Sequence, residues 1–272
     1  MSTVAPAAPT VPRHPAPPRF ERPGPGAFAA AVAALAVLAA AIDGVGLSLT
    51  HLVEGIPSIG RILERMWPLD LSRLPFIGQA LLETFQMALV GTVLGVALSV
   101  PLAIAATRSH SPHPLVYLAA RGLISVFRTV PDLVWALLFV VAVGLGPFAG
   151  TLAIMVDAVG FCGRFFAEAM EEADKGPQEA LRALGAGRLG IVFCAVVPAS
   201  LPSFVNTALF NLEKATRSSV VLGLVGAGGI GIELKVAMDL FSYDLAATII
   251  LAVFLLVVLV EQGSALIRRR LM

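Results

Sequence analysis

The chain has 272 residues, of which 57% are hydrophobic and 14% are charged, and its mean hydropathy is +0.88. Because soluble domains carry about a quarter charged residues, this composition excludes a soluble globular protein and indicates an integral membrane protein. The formal net charge of +1, from 19 basic and 18 acidic residues, gives no excess charge that would attract nucleic acid.

The first 25 residues contain eight prolines and few large apolar side chains, which predicts a disordered, proline-rich tail. An Ala/Val/Leu stretch follows over 26–46, close to the ~20 residues that cross ~30 Å of hydrocarbon. A cleaved signal peptide is the alternative, and the long leader containing Glu21 and the apolar segments that follow disfavour it. We therefore expect a first transmembrane helix here.

Residues 52–77 alternate apolar side chains with six charged ones, which is typical of an amphipathic helix at a membrane interface followed by a turn. Region 26–77 is thus predicted to be a first span with an external connector. Further apolar segments lie at 78–107, 114–145, 149–169, 190–222 and 243–266, which makes six spans and a core domain over 78–272. Several exceed the minimum length, and we expect prolines to bend them: Pro101, Pro131, Pro198 and Pro202.

The orientation follows from the bias of short cytoplasmic loops toward Lys and Arg. Basic groups precede span one and follow spans two, four and six, so all four lie on one side when six spans are present. We therefore expect a multi-pass protein of the cell membrane with both termini in the cytoplasm. The groups are Arg13, Arg19 and Arg22; Arg108, with His110 and His113; Lys175, Arg182 and Arg188; and Arg268, Arg269 and Arg270.

Familiar enzyme and metal motifs are missing from the sequence. Cys162 and Cys194 stand in apolar runs without Cys-x-x-Cys spacing or companion histidines, so we expect both to be packing residues. There is no P-loop, Gly-x-Ser-x-Gly or carboxylate dyad within the spans. We expect no catalytic residue, metal site or bound cofactor in this chain.

The most polar internal stretch lies between spans four and five and predicts a short cytoplasmic helix at about 176–188. Pro177 suits the first helical position, Glu179 the first turn, and Gly185 or Gly187 the left-handed residue that ends a helix. Leu181 and Leu184, with Ala180 and Ala183 beside them, would form a small apolar ridge that suits a groove on another protein.

Within this stretch Glu179, Ala180 and Leu181 are followed after three residues by Gly185 and, nine residues later, by 195–198, which ends in Pro198. This pattern resembles the cytoplasmic signature of ABC importer permeases: Glu-Ala-Ala, three residues, Gly, nine residues, Ile-x-Leu-Pro. The chain departs from it at three positions, each apolar for apolar: Leu181, Ala195 and Val197. The resemblance implies an all-α, type I, methionine-permease-like fold. In that family the helix enters a cleft on a separate ATPase, which makes Glu179, Ala180, Leu181, Leu184 and Gly185 coupling residues.

Four further segments, 128–139, 144–150, 174–180 and 213–231, resemble the phosphonate-type permeases within that family. Asn is expected where Ala215 or Thr216 stands, so substrate could differ there. The resemblance implies import of phosphonate or a related phosphorus oxyanion. The implied partners are a second copy, two ATP-binding cassette subunits that bind ATP and Mg, an extracytoplasmic phosphonate-binding protein and membrane lipid, with no nucleic acid.

Other functions stay open at this point. The chain could carry another small solute, such as an amino acid or a sulfonate. A secondary transporter would need inverted repeats and membrane-buried acids, and beyond Asp157 neither is evident.

Charged side chains inside spans indicate a substrate path, because each costs at least ~2.5–3.5 kcal/mol at a helix centre. The predicted path residues are Arg128, Glu213, Arg217, Ser218 and Ser219. Arginine offers a planar fork of donors that matches a phosphorus oxyanion. The alternative is that the arginines form structural ion pairs: Arg217 lies four residues after Glu213, and Asp132 and Asp157 are further partners. Asp157 and Arg164 themselves are expected to be structural.

A glycine-rich segment follows span five: Gly226, Gly228, Gly229 and Gly231. Its spacing matches the Gly-x-Gly-x-x-Gly dinucleotide fingerprint, but no alternation of strands and helices surrounds it. We predict a tight external turn that belongs to a gate. Gly91 and Gly95, four residues apart in span two, indicate close helix packing.

Overall fold

The computed structural model describes residues 24–46 and 48–271, and over these the chain is helical apart from its turns. Most of the predicted tail, residues 1–23, lies outside the described residues. The helices are α1 (Pro25–Val45), α2 (Leu49–Arg65), α3 (Leu74–Ala106), α4 (Pro114–Thr129), α5 (Asp132–Val143), α6 (Pro147–Glu172), α7 (Lys175–Ala183), α8 (Arg188–Ile191), α9 (Val197–Gly223), α10 (Ile230–Asp239) and α11 (Tyr243–Leu271).

The chain divides into two compact units at the junction of Ile59 and Gly60, inside α2. The first unit contains α1, which ends at Gly46 in the left-handed conformation with φ +66°. It also contains most of α2, which carries apolar and charged side chains in alternation, as predicted for the connector. The second unit contains α3 to α11 and holds the whole predicted core.

Five helical segments of the described chain are long and apolar enough to cross a membrane, and the pair α4–α5 makes a sixth if it counts as one span. This agrees with the six predicted spans. The segment from α8 to α9 is continuous over Arg188–Gly223. The structure therefore confirms an all-helical, polytopic protein.

The third span is broken rather than bent. α4 and α5 meet at 91° across Val130 and Pro131. Val130 is extended (φ −79°, ψ 121°) because the ring of a following proline disfavours helical geometry. α5 then starts with the Asp132 carboxylate accepting a hydrogen bond from the Leu133 amide, at 2.9 Å. In contrast, Pro101 and Pro202 lie inside continuous helices.

A π-helical turn at Val192–Val196 joins α8 to α9. The Val197 amide donates to the Val192 carbonyl, five residues back instead of four. Pro198, which has no amide hydrogen to donate, follows directly. The apolar part of the sequence signature, 195–198, therefore forms the passage from this turn into α9.

The centre of the second unit is the contact between α3 and α6. Gly91 and Gly95 are both buried on α3, and a Cβ atom on either would overlap Ile154 or Ala158 of α6. This confirms the predicted close packing through small residues. Cys162 of α6 is buried beside them in an apolar cluster, as expected, whereas Cys194 is exposed in the single chain and the packing role predicted for it is wrong there.

One helix was not predicted. α10 lies in the segment after span five that the hydropathy pattern assigns to a loop. It has only ten residues, and its Glu233, Lys235 and Asp239 interrupt the apolar pattern. Its buried side chains, Ile230 and Ala237, pack against α3 and α11 through Ile77 and Ile249.

Candidate functional site

The predicted coupling helix is α7, and it begins earlier than the sequence suggests. Asp174 is its N-cap, and its carboxylate accepts a hydrogen bond from the Gly176 amide at 3.0 Å. Lys175 is therefore the first helical residue and Pro177 the third, where a missing amide hydrogen still costs no helical bond. Glu179 lies in the second turn, so its predicted place in the first turn, where the helix dipole favours an anion, is wrong.

The C-terminus of α7 is fixed by Gly185. This residue has φ +82°. The Ala186 amide donates to the Leu181 carbonyl and the Gly185 amide donates to the Arg182 carbonyl, each at 3.0 Å. These two bonds define a Schellman motif, which needs a left-handed residue at this position. Of the two predicted glycines, Gly185 therefore ends the helix, while Gly187 (φ −69°) precedes α8. The helix is shorter than the predicted 176–188.

The predicted apolar ridge is only partly available. Leu184 is 84% exposed, and Glu179, Ala180 and Ala183 are exposed beside it. Leu181 instead packs partly buried against the apolar cluster at the C-terminal ends of α3 and α6. Leu184 is thus accessible on the surface of α7, whereas Leu181 packs α7 against the rest of its own chain.

The base of α7 covers a buried histidine in the connection between α3 and α4. His110 is 8% exposed; its Nδ1 lies 2.8 Å from Ser109 Oγ, and its Nε2 has no hydrogen-bond partner among the described residues. Burial lowers the pKa of His110, the Arg182 charge lowers it further, and the side chain of Gln178 opposes both. The ring is therefore held neutral beneath α7.

Two ion pairs join α9 to its neighbours. Glu213, which is buried, pairs with Arg268 of α11, and Lys214 donates to both carboxylate oxygens of Asp157 on α6, at 2.8 Å each. The predicted pairing of Glu213 with Arg217 is wrong, since the carboxylate is already occupied by Arg268. Sequence reasoning missed Lys214 and Arg268. The available signal was that membrane-embedded charges occur in pairs.

The predicted path residues do not form one cluster. Arg128, in the last turn of α4, and Arg217 are exposed, and neither forms an ion pair within the described part of the chain. Ser218 is partly buried. Ser219 is fully buried and donates to the Thr216 carbonyl at 2.8 Å, so its hydroxyl proton is not available to a substrate in this conformation. Arg164 pairs with Glu168 at 2.7 Å, as expected of a structural group.

The exposed arginine on α9 shares its surface with other polar side chains. Ser203, Asn206, Phe210, Arg217 and Val221 are all exposed, at intervals of three, four, seven and four residues. Such intervals place them on one side of a helix. α9 therefore has a mixed polar surface within a segment long and apolar enough to span a membrane.

The glycine-rich turn is tightly packed. Gly226, Gly228 and Gly229 have φ of +89°, +92° and +71°, and a Cβ on Gly231 would overlap the Val220 carbonyl. The turn also touches the α5–α6 connection, where the Gly146 amide donates to the Gly226 carbonyl at 3.0 Å. This agrees with a tight turn, and its role in a gate stays a prediction.

Two side chains of α3 accept hydrogen bonds from the backbone amides that would have to bind the pyrophosphate of a dinucleotide. The Gly229 amide donates to Glu83 Oε1 and the Ile230 amide to Thr84 Oγ1, each at 2.8 Å. A carboxylate thus already satisfies this end of α10. Together with the buried glycines, it leaves no place for a pyrophosphate.

Comparison with known proteins identifies the fold and the family. A structure titled inward-facing conformations of the MetNI methionine ABC transporter matches with a TM-score of 0.66 and 26% identity, over 75% of this chain and all of that chain. The phosphite transport system permease protein PtxC of Stutzerimonas stutzeri is 39% identical over 82% of this chain and 81% of its own. The phosphate-import permease protein PhnE of Mycolicibacterium smegmatis is 41% identical over 79% of this chain.

The chain spans only 40% of the length of the Mycolicibacterium protein. The family model described as "Binding-protein-dependent transport system inner membrane component" matches residues 91–272, from the glycine pair of α3 to the end of α11. That range contains α7, both ion pairs of α9 and the glycine-rich turn. The chain therefore belongs to the family of binding-protein-dependent transport system inner membrane components.

Proposed function

We propose that the chain is the transmembrane subunit of an ATP-driven importer and that its substrate is phosphonate or a related phosphorus oxyanion. Relatives at 38–41% identity are named for phosphate or phosphite transport. The observation that carries the proposal is Arg217, an exposed cation on the polar surface of α9 that has no ion-pair partner among the described residues.

The position of Arg217 favours a water-filled path. A guanidinium facing hydrocarbon is costly, so this surface of α9 is expected to face a path or a second copy of the chain. A phosphorus oxyanion accepts several hydrogen bonds, and arginine donates two in parallel. Asn206 and Ser203 on the same surface would add weaker contacts, which allow release as well as binding.

The same proposal assigns the partners. α7 would dock into an ATPase subunit through Leu184, Ala180 and Glu179, and that subunit would bind ATP and Mg. A second copy of the chain would supply the second coupling helix, and an extracytoplasmic binding protein would deliver the substrate. With α7 in the cytoplasm, both termini lie on the cytoplasmic side.

The test is uptake by cells that express the chain with its ATPase and binding protein. Labelled phosphonate, phosphite and phosphate are compared with an amino acid and a sulfonate. Arg217→Met is expected to reduce oxyanion uptake more than tenfold at equal membrane abundance, because it removes charge and donors; the figure corresponds to more than about 1.4 kcal/mol. Arg217→Lys should retain part of the uptake.

Arg270→Met is the matched control, because Arg270 is an exposed cation at the cytoplasmic end of α11. Wild-type uptake by Arg217→Met would remove this residue from the path. Uptake of the amino acid or the sulfonate alone would show that this compound, and not a phosphorus oxyanion, is the substrate. Uptake that continues without the ATPase would favour a secondary transporter, for which Asp157 is a poor ion site because Lys214 already neutralises it.

A further inference from the structure

The cytoplasmic side of the second unit contains a cavity of about 600 Å³. It lies between the α3–α4 connection and the start of α8, segments that are far apart in the sequence. Its polar lining consists of Arg108, Ser111, His113, Tyr117 and Arg188, and two prolines complete the wall. None of these residues belongs to the predicted transport path or to the predicted apolar ridge of α7.

The lining is cationic. Arg108 and Arg188 contribute two guanidinium groups, and none of the described residues that line the cavity carries a carboxylate. The acid bound to this connection, Glu171, is engaged elsewhere: it accepts the Arg108 backbone amide at 3.1 Å and Arg121 Nη2 at 2.9 Å. Two positive charges at the cavity are therefore left without a counter-charge from its own wall.

Two uncharged side chains of the wall, His113 and Tyr117, can donate hydrogen bonds into the cavity. His113 Nδ1 accepts the Leu115 amide at 3.1 Å, so the proton of the neutral ring is on Nε2. His113 is the N-cap of α4, a helix of 16 residues whose positive end therefore lies at the cavity. The Tyr117 hydroxyl is a further donor. Ser111 donates to the His113 carbonyl at 3.2 Å and contributes acceptor capacity only.

We propose that this cavity binds a phosphate group at the cytoplasmic face, separately from the transport path. Two guanidinium forks, an imidazole N–H and a phenol match the several acceptor oxygens of that group. The group could belong to a free oxyanion or to the head group of an anionic lipid, since both present the same chemistry.

Occupancy of the cavity would act on the coupling helix. Arg188 is the first residue of α8, which connects α7 to α9, and its Nη1 reaches the Pro112 carbonyl at 3.5 Å. A phosphate group held by Arg108 and Arg188 together would tie α8 to the α3–α4 connection. The movement of α7 would then be restrained while the site is filled.

The test uses the purified complex of the chain with its ATPase, without nucleotide. In one arm, inorganic phosphate is titrated in neutral-lipid nanodiscs and binding is followed by ³¹P NMR line broadening. In the other, phosphatidylglycerol retained by the complex is counted by native mass spectrometry. The Arg108→Gln, Arg188→Gln double variant is expected to give one of two results. It binds inorganic phosphate at least tenfold more weakly in the first arm, or it loses the phosphatidylglycerol that the wild-type complex retains in the second arm.

Arg270→Gln is the matched control, because it removes an exposed cation outside the cavity. It should bind like wild type. If the double variant is too unstable to purify, Arg188→Lys keeps the charge but loses the fork, and intermediate binding is expected. Loss in the phosphate arm identifies a free oxyanion and loss in the lipid arm a head group. Equal binding by the arginine variants and wild type in both arms would overturn the proposal.

Discussion

At the scale of single residues, the ion pair between Glu213 and Arg268 joins α9 to α11 across 55 positions of sequence. Because Glu213 is buried, removal of its partner leaves an uncompensated charge. Arg268→Met is expected to destabilise the chain by about 3 kcal/mol, at the low end for a broken buried pair because Arg268 is partly exposed. Thermal unfolding of the detergent-solubilised protein measures this.

The double variant Glu213→Gln, Arg268→Met is expected to recover most of the lost stability, because no buried charge remains. Arg269→Met serves as the control for charge removal at the same end of α11, where the side chain is exposed. If Arg268→Met unfolds at the same temperature as Arg269→Met, the pair does not contribute to stability.

His110 predicts a pH dependence of the region under α7. Its pKa lies below the ordinary 6.5, with burial as the main cause, so the unfolded chain binds a proton at higher pH than the folded one. The stability that the neutral ring contributes is therefore complete above pH 6.5 and is lost as the pH falls from 6.5 through the folded-state pKa.

The expected measurement is a fall in the unfolding temperature of the wild-type protein below about pH 6.5. His110→Gln should reduce this fall, and His51→Gln, at an exposed position of α2, should not. If wild type and His110→Gln show the same dependence of unfolding temperature on pH, protonation of His110 does not contribute to the loss of stability.

At the scale of elements, α7 depends on its terminating glycine. Gly185→Ala places a side chain at φ +82°, which costs about 1 kcal/mol without any steric overlap. We expect the last turn of α7 to fray and ATP-driven uptake to fall severalfold while the protein remains inserted. Gly187→Ala is the matched control, because Gly187 has φ −69° and equal space around it. Equal uptake by the two variants would contradict the role of the Schellman motif.

The elements were predictable where a local pattern decides them. Apolar length identified all six candidate spans, and the polar stretch around Glu179 located α7. The start of α7 was not predictable from the sequence. Asp174 suits an N-cap and Pro177 suits a first helical residue, and these two positions predict different starts. The 91° break at Pro131 also exceeded the expected bend. A proline shows where a helix is interrupted, but packing sets the angle.

Side-chain partners were less predictable than elements. Glu213 has Arg217 one turn away and Arg268 on another helix, and the structure selects the distant one. α9 carries polar side chains both on its exposed surface, as at Arg217, and on its buried side, as at Ser219, so the sequence contains little information about which side faces which neighbour. For the same reason Ser219 could be placed in a span but not assigned to the core or the path.

At the scale of the whole molecule, the family membership confirms a permease subunit of the importer class. With α7 as the proposed coupling helix, each chain provides one such helix, while ATP hydrolysis in ABC transporters uses a pair of nucleotide sites. We therefore expect two copies of this chain with two ATPase subunits in the purified complex, related by a two-fold axis. Native mass spectrometry tests this. A stable complex with a single permease chain and an ATPase pair would count against it.

The π-helical turn at Val192–Val196 has a mechanical consequence for that assembly. A π turn accommodates one more residue than the α-helix would, and each α-helical residue advances the chain by about 100° around its axis. If one residue passed from π to α geometry here, α7 and α8 would rotate by roughly that angle relative to α9. The turn would thus allow α7, the proposed coupling helix, to rotate while α9 keeps its packing.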